Sequence, residues 1–548
     1  MPEHPVAAAQ RNVDEIAQPA FVRDGVLWAI LALAGLLLFW GLADRCLWQD
    51  EAETALLGKN ILRLGRPIAS DNTNIVSQEA SKEFGSDFLW RWSPWIQFYL
   101  AAGSIAVLGQ TTLAARLPFT VLAFLVVPLI YLLARRLFNS TSVARQSALL
   151  LTVSVPFLLF ARQARWHGPA YLLLVCLLLC LDAMRSGHRL ALFGFVACAV
   201  LLFYTNFFIA IGILFAMLLA LPFYRPDWHL VARLGPAYVA TALVCLPGFF
   251  FFNSFAEGGR FDFAKIQQQF SLYAVFFLTF MLPLPAVCLL AFMIFRRGAS
   301  LDLRRDWKHS VAFLLAFSLA YLCYLSIAPW MMFRYLTVLL IPAALLLGLS
   351  VAWILKQNRI AGVATLGLLI FTNVIHQAPF GYAGLFGYER VAAMTYSNTS
   401  NLPKLGPAGY PLIYYLHELA EPIKDPELVL SEYLREHAAP TDVVLAQYGD
   451  LPVQFYTGLR VAGGMQGQPL PPNPDWIILR PFILSGQPGK DGSVREFVLS
   501  RIPNSQYERV PLAEPDLMLG NSPEPQHHLY RAPASAPPLF LFRRHLLK

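Results

Sequence analysis

The segment DGVLWAILALAGLLLFWGLA (24–43) is a continuous apolar run, and it leads directly into DRCLWQDEAETALLGKNILRLGRP (44–67). A helix needs about 20 apolar residues to cross a hydrocarbon core, so the first segment predicts a membrane span. It is too long for a signal-peptide core of about 7–15 residues, which favours an anchor behind a polar tail, residues 1–23. The second segment begins a helix-favouring sequence with two adjacent acids, Asp50 and Glu51. We therefore expect a carboxylate pair at the membrane surface.

The composition of the whole chain is that of a membrane protein. Of its 548 residues, 57% are hydrophobic and 14% are charged, whereas soluble domains are about half apolar and a quarter charged. The net charge of +8 comes from short basic clusters between apolar runs, which does not indicate nucleic acid. The seven cysteines show no CxxC or Cys/His spacing and predict neither a disulfide scaffold nor a zinc site.

Eleven apolar runs predict an α-helical transmembrane domain over residues 24–374. The two runs beside Thr205-Asn206 come from one stretch that is too long for a single helix. The predicted spans are 24–43, 117–137, 144–160, 168–184, 190–204, 207–223, 234–252, 271–295, 310–327, 335–355 and 360–374.

The segment 94–108 is apolar but short, so we expect it to lie on the membrane surface within a first external loop, 44–116. With that placement the basic loops all fall on the side of the N-terminus, which is then cytoplasmic. The C-terminal part, after about residue 375, falls on the opposite side. For a bacterial inner membrane that side is the periplasm.

Several arginines lie on the external face, where the positive-inside rule predicts few. Guanidinium groups bind phosphate through paired hydrogen bonds, so a converging group favours an anionic ligand. For any single arginine, a salt bridge or contact with lipid phosphates is the alternative. The arginines concerned are Arg91, Arg116, Arg162, Arg165, Arg260 and Arg334.

The C-terminal region, 375–548, predicts an external α/β domain. ELVLSEYLREHA (427–438) has helical spacing, and TDVVLAQ (441–447) and DWIILR (475–480) are typical of buried strands. The tail PASAPPLFLFRRHLLK (533–548) predicts a linker and then an edge strand. GGMQGQ (463–468) is only loosely similar to a phosphate loop, because no Lys-Ser/Thr follows it.

Asp50 is the candidate catalytic residue. A carboxylate at a membrane surface can act as a general base towards a hydroxyl, and it can ligate a divalent metal. Beside arginines that hold a phosphate leaving group, the corresponding reaction is displacement of phosphate from a sugar. The alternative is that the two acids only stabilise the first turn of a helix.

Several motifs resemble the GT-C superfamily of membrane glycosyltransferases, in particular the dolichyl-phosphate-mannose protein mannosyltransferases and the lipid A aminoarabinose transferases. The resemblance covers about residues 24–374 and extends weakly to VLAQYGDLPVQFYTGLRV (444–461). The similar motifs are DE (50–51), ILRLGRP (61–67), SPWIQFYLAAGSIAVLGQTTLAARLP (93–118), ARQARWHGPAYLL (161–173), YTNFF (204–208) and FRYLTVLLIPAALLL (333–347).

The resemblance implies an inverting transferase that uses a polyprenyl-phosphate-linked sugar at the periplasmic face. A lipid, a glycan or a protein would be the acceptor. Asp50 becomes the catalytic aspartate and Glu51 its partner. Arg116 is assigned to donor phosphate or to the catalytic loop. Arg162, Arg165 and Arg334 are assigned to phosphate.

Two departures and one loop leave further questions open. Relatives often have HPPL where this chain has WSPW (92–95), and many have an acid where it has Trp166-His167. A divalent metal is therefore an open possibility, with Asp50 and His167 as ligands, although a lone histidine is more often structural. The loop 253–265, with Arg260 and Lys265, is either a lid or an ordinary exposed loop.

Two other functional classes compete with a transferase. A lipid or sugar transporter would have broken or charged helices at mid-membrane, and few such charges are present. A non-catalytic glycolipid-binding protein would keep its binding after replacement of Asp50, whereas an enzyme would lose transfer.

Overall fold

The structure is a computed structural model that describes most of the chain. The predicted N-terminal tail lies outside the described residues except for Arg23, and so does most of the lid loop with Arg260. The described residues are 23–224, 228–252, 262–296, 303–329, 331–372, 374–376, 411–480, 506–512, 514–517, 521–525, 528–530 and 538–545.

The N-terminal two thirds of the chain is helical. The helices are α1 (Gly25–Phe39), α2 (Gln49–Leu64), α3 (Ile96–Leu108), α4 (Thr112–Phe138), α5 (Thr141–Thr152), α6 (Val155–Ala161), α7 (His167–Arg185), α8 (Leu190–Thr205), α9 (Phe207–Ala220), α10 (Trp228–Phe251), α11 (Phe263–Phe280), α12 (Leu284–Phe295), α13 (Trp307–Ser326), α14 (Phe333–Leu336), α15 (Leu340–Gln357) and α16 (Arg359–Phe371).

Within the described residues, five helical segments are long and apolar enough to cross a membrane: Thr112–Phe138, His167–Arg185, Leu230–Phe251, Trp307–Ser326 and Phe333–Gln357. Two bent pairs, α5 with α6 (61°) and α11 with α12 (86°), raise the number to 7 if each pair is one span. Shorter apolar helices include α1, α8, α9 and α16. The chain is a multi-pass membrane protein, and the number of eleven spans stays a prediction.

Polar residues define where several of these helices begin. The side chain of Asp24 accepts hydrogen bonds from the first backbone amides of α1. The side chain of Asn206 accepts from Ile209 N (3.0 Å), so a new helix starts there. The predicted division of the long apolar run at Thr205-Asn206 is therefore confirmed.

The C-terminal region contains helices α17 (Pro411–Ala420), α18 (Pro426–His437) and α19 (Asp450–Thr457) and a five-stranded mixed sheet. The sheet order is β2-β1-β3-β5-β4, with β1 parallel to β2 and β3, and β5 antiparallel to β3 and β4. The strands are β1 (Val443–Ala446), β2 (Arg460–Gly463), β3 (Trp476–Leu479), β4 (Tyr507–Val510) and β5 (Phe540–Arg544).

The predicted helix and both predicted buried strands of this region are confirmed as α18, β1 and β3. The prediction of an edge strand in the tail was wrong in one respect. β5 is a strand, but it lies inside the sheet because β4 pairs with its far side. The domain boundaries and the side of the membrane stay predictions.

The site described below lies where α2, α3, the loop between them and α19 meet. Side chains from all four share one buried apolar cluster, which includes Leu57, Phe98, Leu451 and Phe455. Gly58 lets α2 approach α3, because a Cβ there would lie 3.0 Å from the backbone nitrogen of Ala102. The helix that carries Asp50 is thus packed from two sides.

Candidate functional site

Helix α2 starts ten residues after the end of α1, so it follows an apolar helix directly in the chain. Glu51 accepts a hydrogen bond from Trp48 N (3.2 Å), which closes the first turn in the manner of a capping box. Asp50 and Glu51 also lie at the positive end of the helix dipole. The local sequence therefore forms a helix that begins with two carboxylates.

Asp50 is buried, and its carboxylate faces two arginines. Arg334 donates a hydrogen bond to Asp50 Oδ2, and Arg165 Nη2 lies 3.4 Å from the same oxygen. Arg165 comes from the turn after α6, and Arg334 from α14. Three residues far apart in the chain thus form one charged group, and their roles in catalysis and phosphate binding stay predictions.

A third carboxylate, Glu53, belongs to the same group and was missing from the sequence prediction. Arg165 Nη1 donates to Glu53 Oε1 (2.8 Å), and Gln78 Nε2 donates to Glu53 Oε2 (2.6 Å). Glu53 lies three residues after Asp50, which places both on one face of α2. That spacing was the signal that could have identified it. Gln78 comes from an irregular loop and has no comparable signal.

The two carboxyls of this face differ in pKa. Burial raises the pKa of Asp50, but the charges of Arg334 and Arg165, with hydrogen bonds from Arg334 and Gln78, outweigh burial and hold this pKa below its ordinary value. Burial raises the pKa of Glu53, and the nearby charge of Asp50 adds to it against Arg165, so the pKa of Glu53 lies above its ordinary value. Asp50 therefore keeps its charge to lower pH than Glu53, which takes up a proton first.

Glu51 faces a different partner. It is fully buried, and its two oxygens accept two hydrogen bonds each: from Arg116 Nε (2.8 Å), Arg116 Nη2 (2.7 Å), Ala164 N (2.9 Å) and Trp48 N. A carboxylate has about four acceptor positions, so all of them are occupied.

Arg116 is equally saturated by contacts within the protein. Besides Glu51, it donates to the carbonyls of Leu42, Arg45 and Cys46 at 3.0, 2.9 and 2.8 Å. These bonds use all five N–H groups of the guanidinium. Of the two roles that the sequence left open for Arg116, the geometry favours contact with the catalytic loop.

The remaining predicted contacts lie apart from Asp50 or outside the described residues. Arg162 donates to the carbonyls of Leu37 (3.2 Å) and Gly41 (2.6 Å) and to the hydroxyl of Tyr415. Arg91 forms a bidentate pair with Asp87, and exposed Lys265 donates to the carbonyl of Pro329. Arg260 lies outside the described residues.

The arrangement does not fit a metal site. His167 is buried, with its ring against Trp166 and Phe160, and within the described residues its Nδ1 has no hydrogen-bond partner. The described part of the chain holds no group of three or more His, Cys, Asp or Glu side chains placed to hold a metal. Asp50 is surrounded by guanidinium groups, which repel a cation.

Comparison with known proteins gives a consistent result. The family described as dolichyl-phosphate-mannose-protein mannosyltransferase matches residues 93–251. The undecaprenyl phosphate-alpha-4-amino-4-deoxy-L-arabinose arabinosyl transferase 2 of Pseudomonas fluorescens is 26% identical over 370 residues. That match covers 62% of this chain and 63% of the relative, so the chain spans less than two thirds of the relative's length.

Two solved structures of ArnT from Cupriavidus metallidurans share the fold. The structure bound to undecaprenyl phosphate has a TM-score of 0.52 at 14% identity and covers 96% of this chain and 99% of that one. The apo structure has a TM-score of 0.54 at 15% identity and covers 90% and 97%. The family match and the curated relative confirm the predicted resemblance, and the chain is similar to GT-C membrane glycosyltransferases of the protein mannosyltransferase and ArnT type. The two structures show that it shares the ArnT fold.

Proposed function

We propose that this protein is an inverting membrane glycosyltransferase that moves a sugar from a polyprenyl-phosphate carrier to a lipid, glycan or protein acceptor. The observation that carries the proposal is the contact of one buried carboxylate, Asp50, with two arginines at the membrane edge. An ionised base beside phosphate-binding cations is the arrangement that displacement of a sugar from phosphate requires.

The polyprenyl donor is supported by the relatives. The curated relative is named for undecaprenyl phosphate, and one solved ArnT structure is bound to it. We extend that donor class to this chain because Arg165 and Arg334 offer bidentate guanidinium groups, which match the geometry of a phosphate. The same chemistry accounts for the position of the site at the end of apolar helices.

In the proposed reaction the acceptor oxygen forms a bond to the anomeric carbon as the bond from that carbon to the phosphate oxygen breaks. The bonding electrons leave with the polyprenyl phosphate, and the acceptor proton passes to Asp50. Attack from the face opposite the phosphate inverts the anomeric configuration. Each atom and charge is accounted for without a further reactant, and no step uses a metal.

The same arginines contact Asp50 in this structure and would contact phosphate when the donor is bound. When a guanidinium turns towards phosphate, less positive charge remains beside Asp50 to keep its pKa low. Its basicity therefore rises when the donor is bound. Glu53 retains Arg165 through its own hydrogen bond (2.8 Å) and keeps that arginine in place during the exchange.

The topology forms part of the proposal. Eleven spans, an N-terminus in the cytoplasm and a C-terminal domain (375–548) in the periplasm would place Asp50 on the outer face of a bacterial inner membrane. The distribution of basic loops supports this orientation. Reporter fusions to residues 186 and 358, at the ends of α7 and α15, should both report the cytoplasm, and a periplasmic signal at either would contradict it.

The test of function is a comparison of three bacterial strains that express wild type, Asp50→Asn or no protein. Mass spectrometry of glycolipids, surface polysaccharides and periplasmic glycoproteins should show one sugar missing from both the null and the Asp50→Asn strains. If Asp50→Asn, present at wild-type abundance, retains that sugar, Asp50 is not the base and a transporter or glycolipid-binding protein becomes the better interpretation.

A further inference from the structure

A buried hydrogen-bond network joins the residue next to Asp50 to the C-terminal domain. Gln49 Nε2 donates to Asp450 Oδ1 (2.8 Å), and Gln466 Nε2 donates to Asp450 Oδ2 (2.7 Å). Gln49 and Asp450 are fully buried. The first turn of α2 is therefore tied to the first residue of α19.

The apolar side of α19 strengthens this connection. Leu451 and Phe455 pack in the cluster that contains the alanines of α2. The hydroxyl of Tyr456 accepts from Leu47 N (2.8 Å) and forms a hydrogen bond with Thr112 Oγ1 (2.7 Å). One short helix of the C-terminal domain thus contacts the segment before Asp50 through both polar and apolar groups.

The loop GGMQGQ (463–468) of the C-terminal domain also contacts the loop between α2 and α3. Gly464 has φ +53°, and a Cβ there would lie 2.2 Å from Asp450 Oδ1, so only glycine fits beside that carboxylate. Ala80 N donates to Met465 O (3.0 Å), and Ser81 Oγ donates to Gln466 O (2.7 Å). The loop that supplies Gln78 to Glu53 therefore rests on the same surface. GGMQGQ is a docking loop in this structure.

We propose that Asp450 is a positioning residue, which holds the first turn of α2 through Gln49 and so sets Asp50 against Arg165 and Arg334. The proposal rests on the proposed function. A carboxylate buried between two amides is costly to stability, since burying a charge is unfavourable unless it is well paired. The alignment that Asp450 imposes on the first turn of α2 explains why a buried carboxylate lies here.

The surroundings of Asp450 support this interpretation. Burial raises the pKa of Asp450 to about 6, against its hydrogen bonds from Gln466 and Gln49. Those partners are neutral, and the acids of α2 that follow face arginines of their own: Asp50 faces Arg165 and Arg334, and Glu51 faces Arg116. The carboxylate is therefore not held by an ion pair among the described contacts.

The test uses full-length protein with Asp450→Ala, Gln49→Ala and Asp450→Asn. At equal abundance, Asp450→Ala should lower the sugar-transfer rate in cells at least 10-fold, and Gln49→Ala should lower it less. Binding of undecaprenyl phosphate to the purified protein should stay within 2-fold of wild type. Asp450→Asn should recover most of the rate. If the Gln49 amide turns over, its Oε1, which is buried and accepts no hydrogen bond among the described residues, can accept from the asparagine NH2 group.

Asp442→Ala is the matched control. Asp442 accepts from Trp476 Nε1 (2.8 Å) and Ala439 N (3.1 Å) within the C-terminal domain. Asp442→Ala should lower the stability of that domain without changing the transfer rate per folded molecule. If Asp442→Ala slows transfer as much as Asp450→Ala, the effect is general loss of stability and the proposal is overturned.

Hydrogen exchange provides a readout that does not depend on activity. Amides of the peptide 47–64 should exchange several-fold faster in Asp450→Ala than in wild type or Asp442→Ala. Unchanged exchange would overturn the positioning role even if transfer falls. If wild type transfers no sugar while exchange changes as expected, the proposed function fails and the coupling between α2 and the C-terminal domain stands.

Discussion

Replacement of Glu51 separates structural from chemical roles in the acidic helix. In Glu51→Gln the charge of Arg116 remains buried without compensation, because the side chains of Glu51 and Arg116 are 0% and 7% exposed. The new amide nitrogen would also face two donors at either oxygen position: Trp48 N and Arg116 Nη2 at one, or Ala164 N and Arg116 Nε at the other. Removal of one partner of a buried ion pair costs about 3–5 kcal/mol.

The expected result is a loss of about 3–5 kcal/mol in the free energy of unfolding for Glu51→Gln. Asp50→Asn should destabilise less, because Arg165 and Arg334 are 14% and 19% exposed and stay partly solvated. Asp50→Asn should instead lower transfer by at least about 100-fold, the usual contribution of a general base.

Denaturant unfolding of the purified protein in detergent measures the first quantity, and sugar transfer per folded molecule measures the second. Glu508→Gln is the surface control, since its side chain is 54% exposed on β4, and it should change neither. The reasoning is refuted if Glu51→Gln unfolds within about 1 kcal/mol of wild type and yet loses transfer as completely as Asp50→Asn. That outcome would assign Glu51 to the chemistry, as the family resemblance implied.

Three further predictions follow from charged contacts. Arg334→Ala should weaken undecaprenyl phosphate binding about 10-fold or more, as loss of a charge-assisted hydrogen bond does. Arg91→Ala, the control, should not weaken it. Equal binding by both variants would contradict the assignment of Arg334 to phosphate. Burial opposes ionisation of Glu418, but His528 brings the pKa of Glu418 to about 2. The ionised carboxylate therefore stabilises the fold fully above about pH 4.5, and this stabilisation is lost as pH falls towards 2. Glu418→Gln should flatten the curve of unfolding free energy against pH in that range, and an unaltered curve would disprove the prediction. Because the pKa of Glu53 is already raised, binding of undecaprenyl phosphate should drive proton uptake by Glu53. Calorimetry in buffers of different ionisation enthalpy should show this uptake in wild type and less of it in Glu53→Gln. If the two proteins take up protons equally, Glu53 is not the group that is protonated.

Much of this site could be predicted because its parts sit on regular elements with strong sequence signals. Asp50 follows an apolar run, and Arg165 and Arg334 lie in or beside short connections between apolar runs on the same predicted face. The prediction grouped these residues because their segments fall on the same side of the membrane. The strands β1 and β3 could also be predicted, because short apolar runs between polar turns are typical of buried strands.

The roles within the acidic pair could not be predicted from adjacency. Successive residues of an α-helix point about 100° apart, so Asp50 and Glu51 meet different partners. Only the structure shows that Glu51 faces Arg116 and that Asp50 and Glu53 share Arg165. The helical period should have favoured the pair Asp50 and Glu53 over Asp50 and Glu51.

Contacts made by irregular segments were beyond sequence reasoning. Gln78 and Ser81 lie in a loop without hydrophobic periodicity, and the loop is shaped by Glu83, which accepts from Ser77 Oγ (2.8 Å) and from two backbone amides. The pairing of this loop with GGMQGQ joins segments about 385 residues apart. No local pattern encodes such a contact, and the glycines there resembled a phosphate loop for an unrelated reason.

The charges of α2 explain why an acidic helix is stable at the edge of a membrane. Its three acids, Asp50, Glu51 and Glu53, meet three arginines, so the buried group is close to neutral before any ligand arrives. An anionic donor then adds one negative charge that must be compensated, because unpaired charge is costly in a buried site. The pKa of Glu53 lies above its ordinary value and that of Asp50 below, so Glu53 loses its charge more easily than Asp50. We therefore infer a separate role for each acid: Glu51 stabilises the fold, Asp50 takes the acceptor proton, and Glu53 adjusts the charge of the site to the donor.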